Sequence, residues 1–343
     1  MSRIPVVIDT DPGLGEPGSD IDDGLAIALA LRSPELDVLG LTIVNGNVDA
    51  ATGTDVARRL TARLGRPDLP VVLGATQPLH RPMGPVRALF GEQPHRDADR
   101  ELLGPTTDEH AADHLVRLAA EHPGELVVVA IGPMTNLALA VQRDPAFARN
   151  VRELVLMAGS ATTYAQNITV VGDFNAYVDP EALEIVLRSG ARVRMVGLDQ
   201  TSQVMLSRDD AAALRAGGDD FGRWVADCTD AWIDFLGRAF PQRVEHRTSC
   251  FLHDPLVVAA VLRPDLLEWA GADVQVETGS ELARGLVVAD RGLALRPAGP
   301  HNATVAVATD TAGFRRLFLE RISTAPASAP AELHTPHPVP PKE

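Results

Sequence analysis

Five aspartates crowd into one short stretch near the start of the chain: Asp9 and Asp11 in Asp9-Thr10-Asp11-Pro12-Gly13, then Asp20, Asp22 and Asp23. Carboxylates brought this close repel one another, and the least costly relief is a cation. Oxygen ligands without Cys or His beside them suit a hard ion, Ca²⁺ or Mg²⁺, better than zinc. An apolar run, Ile4 to Ile8, leads into the first pair, and the apolar stretch Leu25 to Leu31 follows the second. The cluster therefore belongs to a strand-to-helix junction. Carboxylates at the carboxyl end of a buried strand face the crevice where open α/β sheets bind ligands.

Further polar residues stand where other strands should end. Leu36 to Val44 reads as a buried strand that runs into Asn45-Gly46-Asn47, which makes Asn47 a candidate. Leu126 to Ile131 runs into Gly132-Pro133-Met134-Thr135-Asn136, a sharp turn that leaves strand-end carbonyls free to act as ligands. The exit from Val151–Met157 carries Asn167, Asp173 and Asn175, two amides and a carboxylate suited to sugar hydroxyls. Later, His253-Asp254-Pro255 opens a helix, a pair of interest if it shares the first strand's crevice.

The elements that must position these groups alternate over residues 4 to 200, which predicts an α/β fold: an open, mostly parallel sheet with helices on both faces. No linker interrupts residues 1–322, so a single catalytic domain is expected, followed by a Pro/Ala-rich tail at 323–343 that cannot bury enough to order itself. Ala272 to Glu277 and Gly285 to Ala289 read as antiparallel strands. The irregular Gly74–Thr107 segment reads as a lid. Asp219 to Phe240 reads as a helix whose Trp224, Trp232 and Phe235 are core residues rather than a stacking platform.

With 31 basic against 46 acidic residues the net charge is −15, which works against nucleic acid and anionic membranes as partners and favours a small ligand. Cys228 and Cys250 are too few for a disulfide framework and read as buried thiols of a reducing compartment. No apolar run is long enough to span a bilayer and no signal-like segment precedes the first strand, so a cytoplasmic enzyme is expected.

Taken in order, DTDPG and DIDDGLAIA, AIGPMTNLALA, the run from LVLMAG to NITVVGDFNAYVDPEA, and FLHDPLVVAA resemble the inosine-uridine-type nucleoside hydrolases over nearly the whole chain up to about residue 320. The resemblance implies a Ca²⁺-dependent enzyme that hydrolyses ribonucleosides to base and ribose, and a homodimer or homotetramer. It implies Asp11 as general base and metal ligand, Asp23, Asp254 and the Ile131 carbonyl as further metal ligands, and a metal-held water as nucleophile. Asp22, Asn47, Asn167, Asp173 and Asn175 match the family's ribose-holding positions, Met157 lies beneath the sugar, and His253 matches a histidine that activates the leaving base.

Three features depart from the family pattern. Eight residues, Leu14 to Ile21, separate the DPG glycine from the aspartate pair where one is usual, so Asp20 or Glu16 could compete for a metal role; the loop is expected to bulge outward as a lid element, so that Asp20→Asn costs little. Asp173 stands where glutamate is common, and Phe90-Gly91 where His-Gly is common. Two other readings compete. A strand ending in DxD also describes a haloacid-dehalogenase-type phosphatase, although the only lysine for its phosphoryl clamp is Lys342 in the tail, leaving arginine to substitute, and the later DFN and HDP motifs find no role there. The third is a non-enzymatic, Ca²⁺-dependent ribose- or nucleoside-binding protein.

Overall fold

The protein is described by a computed structural model covering residues 3–84, 86–87, 108–163, 165, 167–295 and 297–323. The strand β1 (Ile4–Thr10) explains why there are two helical layers: Val6 and Ile8 pack into one apolar cluster, Val7 into another, and all three are fully buried. Successive side chains of a strand point to opposite faces, so a strand apolar on both needs cover on both.

The other strands are β2 (Leu36–Ile43), β3 (Val71–Leu73), β4 (Val127–Ala130), β5 (Glu153–Met157), β6 (Val193–Val196), β7 (Met205–Ser207), β8 (Ser249–Phe251), β9 (Leu267–Val276), β10 (Val287–Asp290) and β11 (Ala303–Thr309). Nine of them form one sheet in the order β10-β9-β11-β6-β5-β4-β1-β2-β3. Its pairings are parallel except those of β9, which runs antiparallel to both neighbours. The chain winds outward one way through β2 and β3 and the other way through β4, β5 and β6. The topological switch lies between β1 and β4, where such sheets bind ligands.

Helix Asp22–Leu31 is buried from its first residue to Ala30 because it lies between the sheet and helix His253–Leu262, itself buried from Asp254 to Val261. The two helices start side by side. Their N-terminal partial charges thus converge on the carboxylates of their own first turns.

Several expectations need correction. The insertion does not simply bulge outward: Leu14, Ser19 and Ile21 are buried and Glu16 pairs with Arg59, because isolated apolar residues in a Gly/Pro-rich run still find a core. Where the sequence predicts a strand from Val193 to Leu198, β6 stops at Val196 and a helical turn, Leu198–Thr201, follows. β9 begins at Leu267, five residues before the expected start, since Glu268 and Gly271 hide its pattern. The small antiparallel pair of β7 and β8 has no clear sequence signal. In the expected lid, Arg81 is tied to Glu181 and Glu281 and Met83 packs with Val86 and Val178. Phe90-Gly91 and the tail beyond Ser323 lie outside the described residues. Cys228 and Cys250 are free, the first half-buried and the second buried. Among the described residues no helix is long and apolar enough to cross a membrane.

Candidate active site

A cavity of about 240 Å³ opens at the carboxyl ends of the central strands, and its two ends differ in chemistry. One end is lined by Asp20, Asp22, Asn47, Ile131, Met157 and Asn175, with Asp254. The other is walled by Trp232, Leu236 and Phe240 of helix Asp220–Ala239 and its exit, then Arg243, His246, Phe251 and His253.

Asp11 lies beneath the first end, 1% exposed. Its Oδ2 accepts from the Asn47 backbone N–H at 2.6 Å, while Oδ1 is buried without a hydrogen-bond partner. The backbone must come very close on both sides: a Cβ on Gly46 would sit 1.9 Å from Oδ2 and one on Gly132 2.6 Å from Oδ1. Any side chain at either position would displace the carboxylate. Asp23 accepts from Thr10 Oγ1, from the Asp11 N–H at 3.1 Å and from Asn47 Nδ2 at 2.9 Å. Asp22 links the two helices: its Oδ1 accepts from the Asp23 N–H and its Oδ2 from the Asp254 N–H at 3.3 Å. One carboxylate oxygen each of Asp22, Asp23 and Asp254 lies within 4.8 Å of the others.

Burial raises the pKa of Asp11 well above the usual carboxylate range, and the Asp23 charge adds to it. Asp254 is raised likewise, by burial and then by Asp22 and Asp23. Carboxylates this buried cannot all ionise without a countercharge. A hard cation fits on chemical grounds: the donors are oxygens, Asp22, Asp23 and Asp254 come within reach of one ion, and Asp11, outside that trio, keeps a buried Oδ1 without a hydrogen-bond partner. The Ile131 carbonyl at the end of β4 already accepts Asn175 Nδ2 at 2.7 Å, and a carbonyl has a second lone pair.

The sugar-side residues divide. Asn175 is held by the Ile131 and Met157 carbonyls, at 2.7 and 3.1 Å, and with Met157 lines the floor. Asn47 also reaches the cleft but spends its backbone and amide N–H groups on Asp11 and Asp23. Asn167 stands exposed at the mouth, its Oδ1 accepting from the Ile168 N–H. Asp173 sits behind the lining: its oxygens accept from the Gly159, Asn175 and Ala176 N–H groups, so it caps the short helix that carries Asn175. Asp20 lines the cleft beside Asp22 instead of standing apart from it, and burial pushes its pKa up to about 6.

His253 Nδ1 meets Thr201 Oγ1 at 2.8 Å, and its ring lies against Phe251 with centroids 5.1 Å apart. Burial, then the neighbouring His246 and Arg243, hold its pKa down to about 3, so the ring is neutral. Trp232 is both core and cleft wall, stacked on Phe235 at 5.2 Å, whereas Trp224 lies away from the cleft beneath Arg63.

Sequence reasoning passed over a supporting layer. Asp9 Oδ2 accepts Thr42 Oγ1 at 2.6 Å and Asn136 Nδ2 at 2.8 Å, and Asn136 also reaches the Ile43 carbonyl and the Ala75 N–H. This network ties the ends of β1, β2 and β4 together. Asp9 and Asn136 stood within recognisable motifs; Thr42, Thr201, Arg243 and His246 carried no such signal.

A family model described as inosine-uridine preferring nucleoside hydrolase matches residues 6–316. Uridine nucleosidase 1 of Arabidopsis thaliana is 35% identical over 291 residues, 84% of this chain and 82% of the relative. A pyrimidine-specific ribonucleoside hydrolase of Citrobacter koseri is 35% identical over 93% of this chain and 98% of its own. A purine-preferring ribonucleoside hydrolase from Gardnerella vaginalis superposes with a TM-score of 0.80 at 31% identity, covering 93% of this chain and 98% of that one.

Proposed function

The chain belongs to the inosine-uridine preferring nucleoside hydrolase family and is thereby a hydrolase of N-glycosyl bonds, and from that premise we propose that it cleaves ribonucleosides to free base and ribose, with the sugar at the carboxylate end of the cleft and the base at the aromatic end. The observation that carries this reading is Asp11 Oδ1, a buried carboxylate oxygen without a partner at the end of the central strand. The phosphatase and binding-protein readings are left without support by the family match.

Asp11, Asp23, Asp254 and the Ile131 carbonyl would hold Ca²⁺. When bound, the ion supplies positive charge that offsets the buried carboxylates, acidifies a water and fixes the sugar hydroxyls. Asp11, oriented through Oδ2 by Asn47, takes the proton of the attacking water on Oδ1. Asp22, Asn47, Asn167 and Asn175 orient the ribose over Met157, with Asp173 positioning Asn175. As the C1′–N bond lengthens, positive charge grows on the sugar and the surrounding carboxylates stabilise it. Water attacking from the carboxylate side inverts C1′. His253, neutral, donates a hydrogen bond from Nε2 to the departing base while Thr201 donates to Nδ1.

The free cysteines suit a reducing cytoplasm, and a homodimer or homotetramer is the expected assembly. The named relatives favour opposite base classes, so substrate must be read directly. Reducing-sugar release is measured with Ca²⁺ present from inosine, adenosine, guanosine, uridine, cytidine and nicotinamide riboside. Ribose from at least one is expected; none from any overturns the reading.

A further inference from the structure

The helical turn Leu198–Thr201 stands where the sequence predicts the end of a strand, and that change decides where its side chains go. In a strand, residues 199 and 201 would share one face; in a helix, residues two apart point about 200° from each other. Asp199 and Thr201 thus leave the turn on opposite sides. Thr201 meets His253 Nδ1. Asp199, 7% exposed, is bound instead by the segment that follows β5. Its Oδ1 accepts the Ala161 N–H at 3.1 Å, and its Oδ2 accepts the Thr162 N–H at 3.0 Å, the Thr162 hydroxyl and Gln200 Nε2. The approach requires glycine next to it: a Cβ on Gly197 would stand 2.5 Å from Asp199 Oδ1 and 3.0 Å from the Ser160 Cα. The Leu198 N–H adds a bond to the Gly159 carbonyl at 2.6 Å. These clamped residues open the segment that brings Asn167 and Ile168 to the cleft lining, and Asn167 is exposed, so its place depends on how the segment is held behind it.

We propose that Asp199 is a positioning residue for the substrate: acting through Ala161 and Thr162, it sets Asn167 and Ile168 over the cleft mouth, while Thr201 on the opposite face of the same turn sets His253 for the leaving base. This rests on the ribonucleoside reading above, in which Asn167 helps to orient the ribose. A buried carboxylate would lose charge-assisted hydrogen bonds if the segment swung away, and a buried acceptor left unpaired is costly. The segment is thus held in place before substrate arrives, and ordering it draws nothing from the binding energy. Asp199 itself lies behind the lining and meets neither sugar nor base in this scheme. Its loss should therefore weaken ground state and transition state alike, which raises KM and leaves kcat. Loss of Thr201 should do the reverse, because a misplaced His253 matters only as the base departs.

The test measures kcat and KM, with Ca²⁺ present, for the wild type, Asp199→Asn, Thr162→Val, Asn167→Ala, Thr201→Val and the double variant of Asp199→Asn with Asn167→Ala. The substrates are the best-cleaved ribonucleoside of the panel above and p-nitrophenyl β-ribofuranoside, which keeps the ribose but carries a leaving group that needs no help. Asp199→Asn should raise KM roughly tenfold on both, with kcat within about threefold. Thr162→Val removes one of the bonds at an exposed position and should raise KM by less; it decides the matter if Asp199→Asn does not fold. Asn167→Ala should raise KM as Asp199→Asn does, and the double variant should be no worse than the worse single one, since both changes remove one function. Thr201→Val should lower kcat more on the nucleoside than on the p-nitrophenyl substrate. Effects on KM that multiply in the double variant would overturn the proposal, as would a silent Asn167→Ala beside an impaired Asp199→Asn, a silent Thr162→Val, or a Thr201→Val that acts on KM alone. Any of these in a wild type that cleaves nucleosides rejects this inference alone; a wild type that cleaves none rejects the ribonucleoside reading beneath it.

Discussion

At the carboxylate end of the cleft, the groups that matter sit on strand ends and first helical turns and hold one another: Asn47 bonds both Asp11 and Asp23, and Asp22 bonds the start of the helix that carries Asp254. At the aromatic end, Trp232 and Leu236 lie on one helix, and Phe240, Arg243 and His246 follow in the turn that leaves it. The first end is fixed by four or more segments meeting at the sheet's switch point; the second rests mainly on one helix and the turn that leaves it, with Phe251 and His253 beside them. With ribose at the first end and base at the second, as proposed, such a division would let sugar chemistry stay constant while base contacts vary. Changes at the first end should therefore fall on every nucleoside alike, and changes at the second should sort one base from another.

The largest effect is expected from the substrate. If Asp22 and the metal share the 2′-hydroxyl, a 2′-deoxynucleoside leaves buried charged groups unpaired, and kcat/KM should fall by roughly 10⁴. Equal rates for inosine and 2′-deoxyinosine would reject the ribose clamp. Next comes Asp11→Asn, which removes the base while keeping an acceptor for the Asn47 N–H. Single-turnover rates should fall by about 10³ for purine and pyrimidine nucleosides alike; a loss confined to one base class would break the division between the two ends.

Metal removal comes third. A ligand present at 100 times its dissociation constant adds ~2.7 kcal/mol of stability, so chelation should lower the melting temperature, and Asp23→Asn should abolish the difference. An unchanged melting temperature, with no metal by elemental analysis, would remove Ca²⁺ from the scheme. At the other end, Trp232→Ala should raise KM by roughly tenfold, in line with the ~1–3 kcal/mol that stacking on an aromatic ring contributes. The size of that rise should differ between uridine and inosine.

How legible all this was in the sequence depended on how local each signal is. β1 and its aspartates could be read because a strand buried on both faces is a plain apolar run and its end is marked by turn residues. Asp22 and Asp23 could be set at a helix start because the apolar stretch follows at once. The place of Asp173 could not be read: a carboxylate that caps a helix and one that meets a sugar use the same acceptor atoms, and only the fold shows which N–H groups reach it. The packing of Leu14 and Ile21 was hidden for another reason, since two apolar residues among glycines and prolines have no period. Arg243 and His246 reach the cleft through a turn whose path depends on where the preceding helix docks, which no spacing encodes.

The smallest effect on activity is expected from Asp9, which anchors the carboxylate end without lining the cleft. Burial raises its pKa from 3.8 to about 7, against the hydrogen bonds from Thr42 and Asn136 that lower it. The folded state therefore keeps a proton that the unfolded chain has already given up between those two values. Stability from this group is fully present at low pH and is lost as pH rises through about 7, with a slope of at most about 1.4 kcal/mol per pH unit. Asp9→Asn preserves an acceptor for Thr42 and Asn136 but cannot titrate. With Ca²⁺ saturating, so that the metal carboxylates stay constant, the stability difference between wild type and variant should shift steadily in the variant's favour from pH 5 to 7 and level off above 8. A difference that stays flat over that range would mean that Asp9 is ionised in the folded protein, and that its orphaned Oδ1 has a partner in solution; the network behind the carboxylate end would then hold one more negative charge for the bound cation to offset.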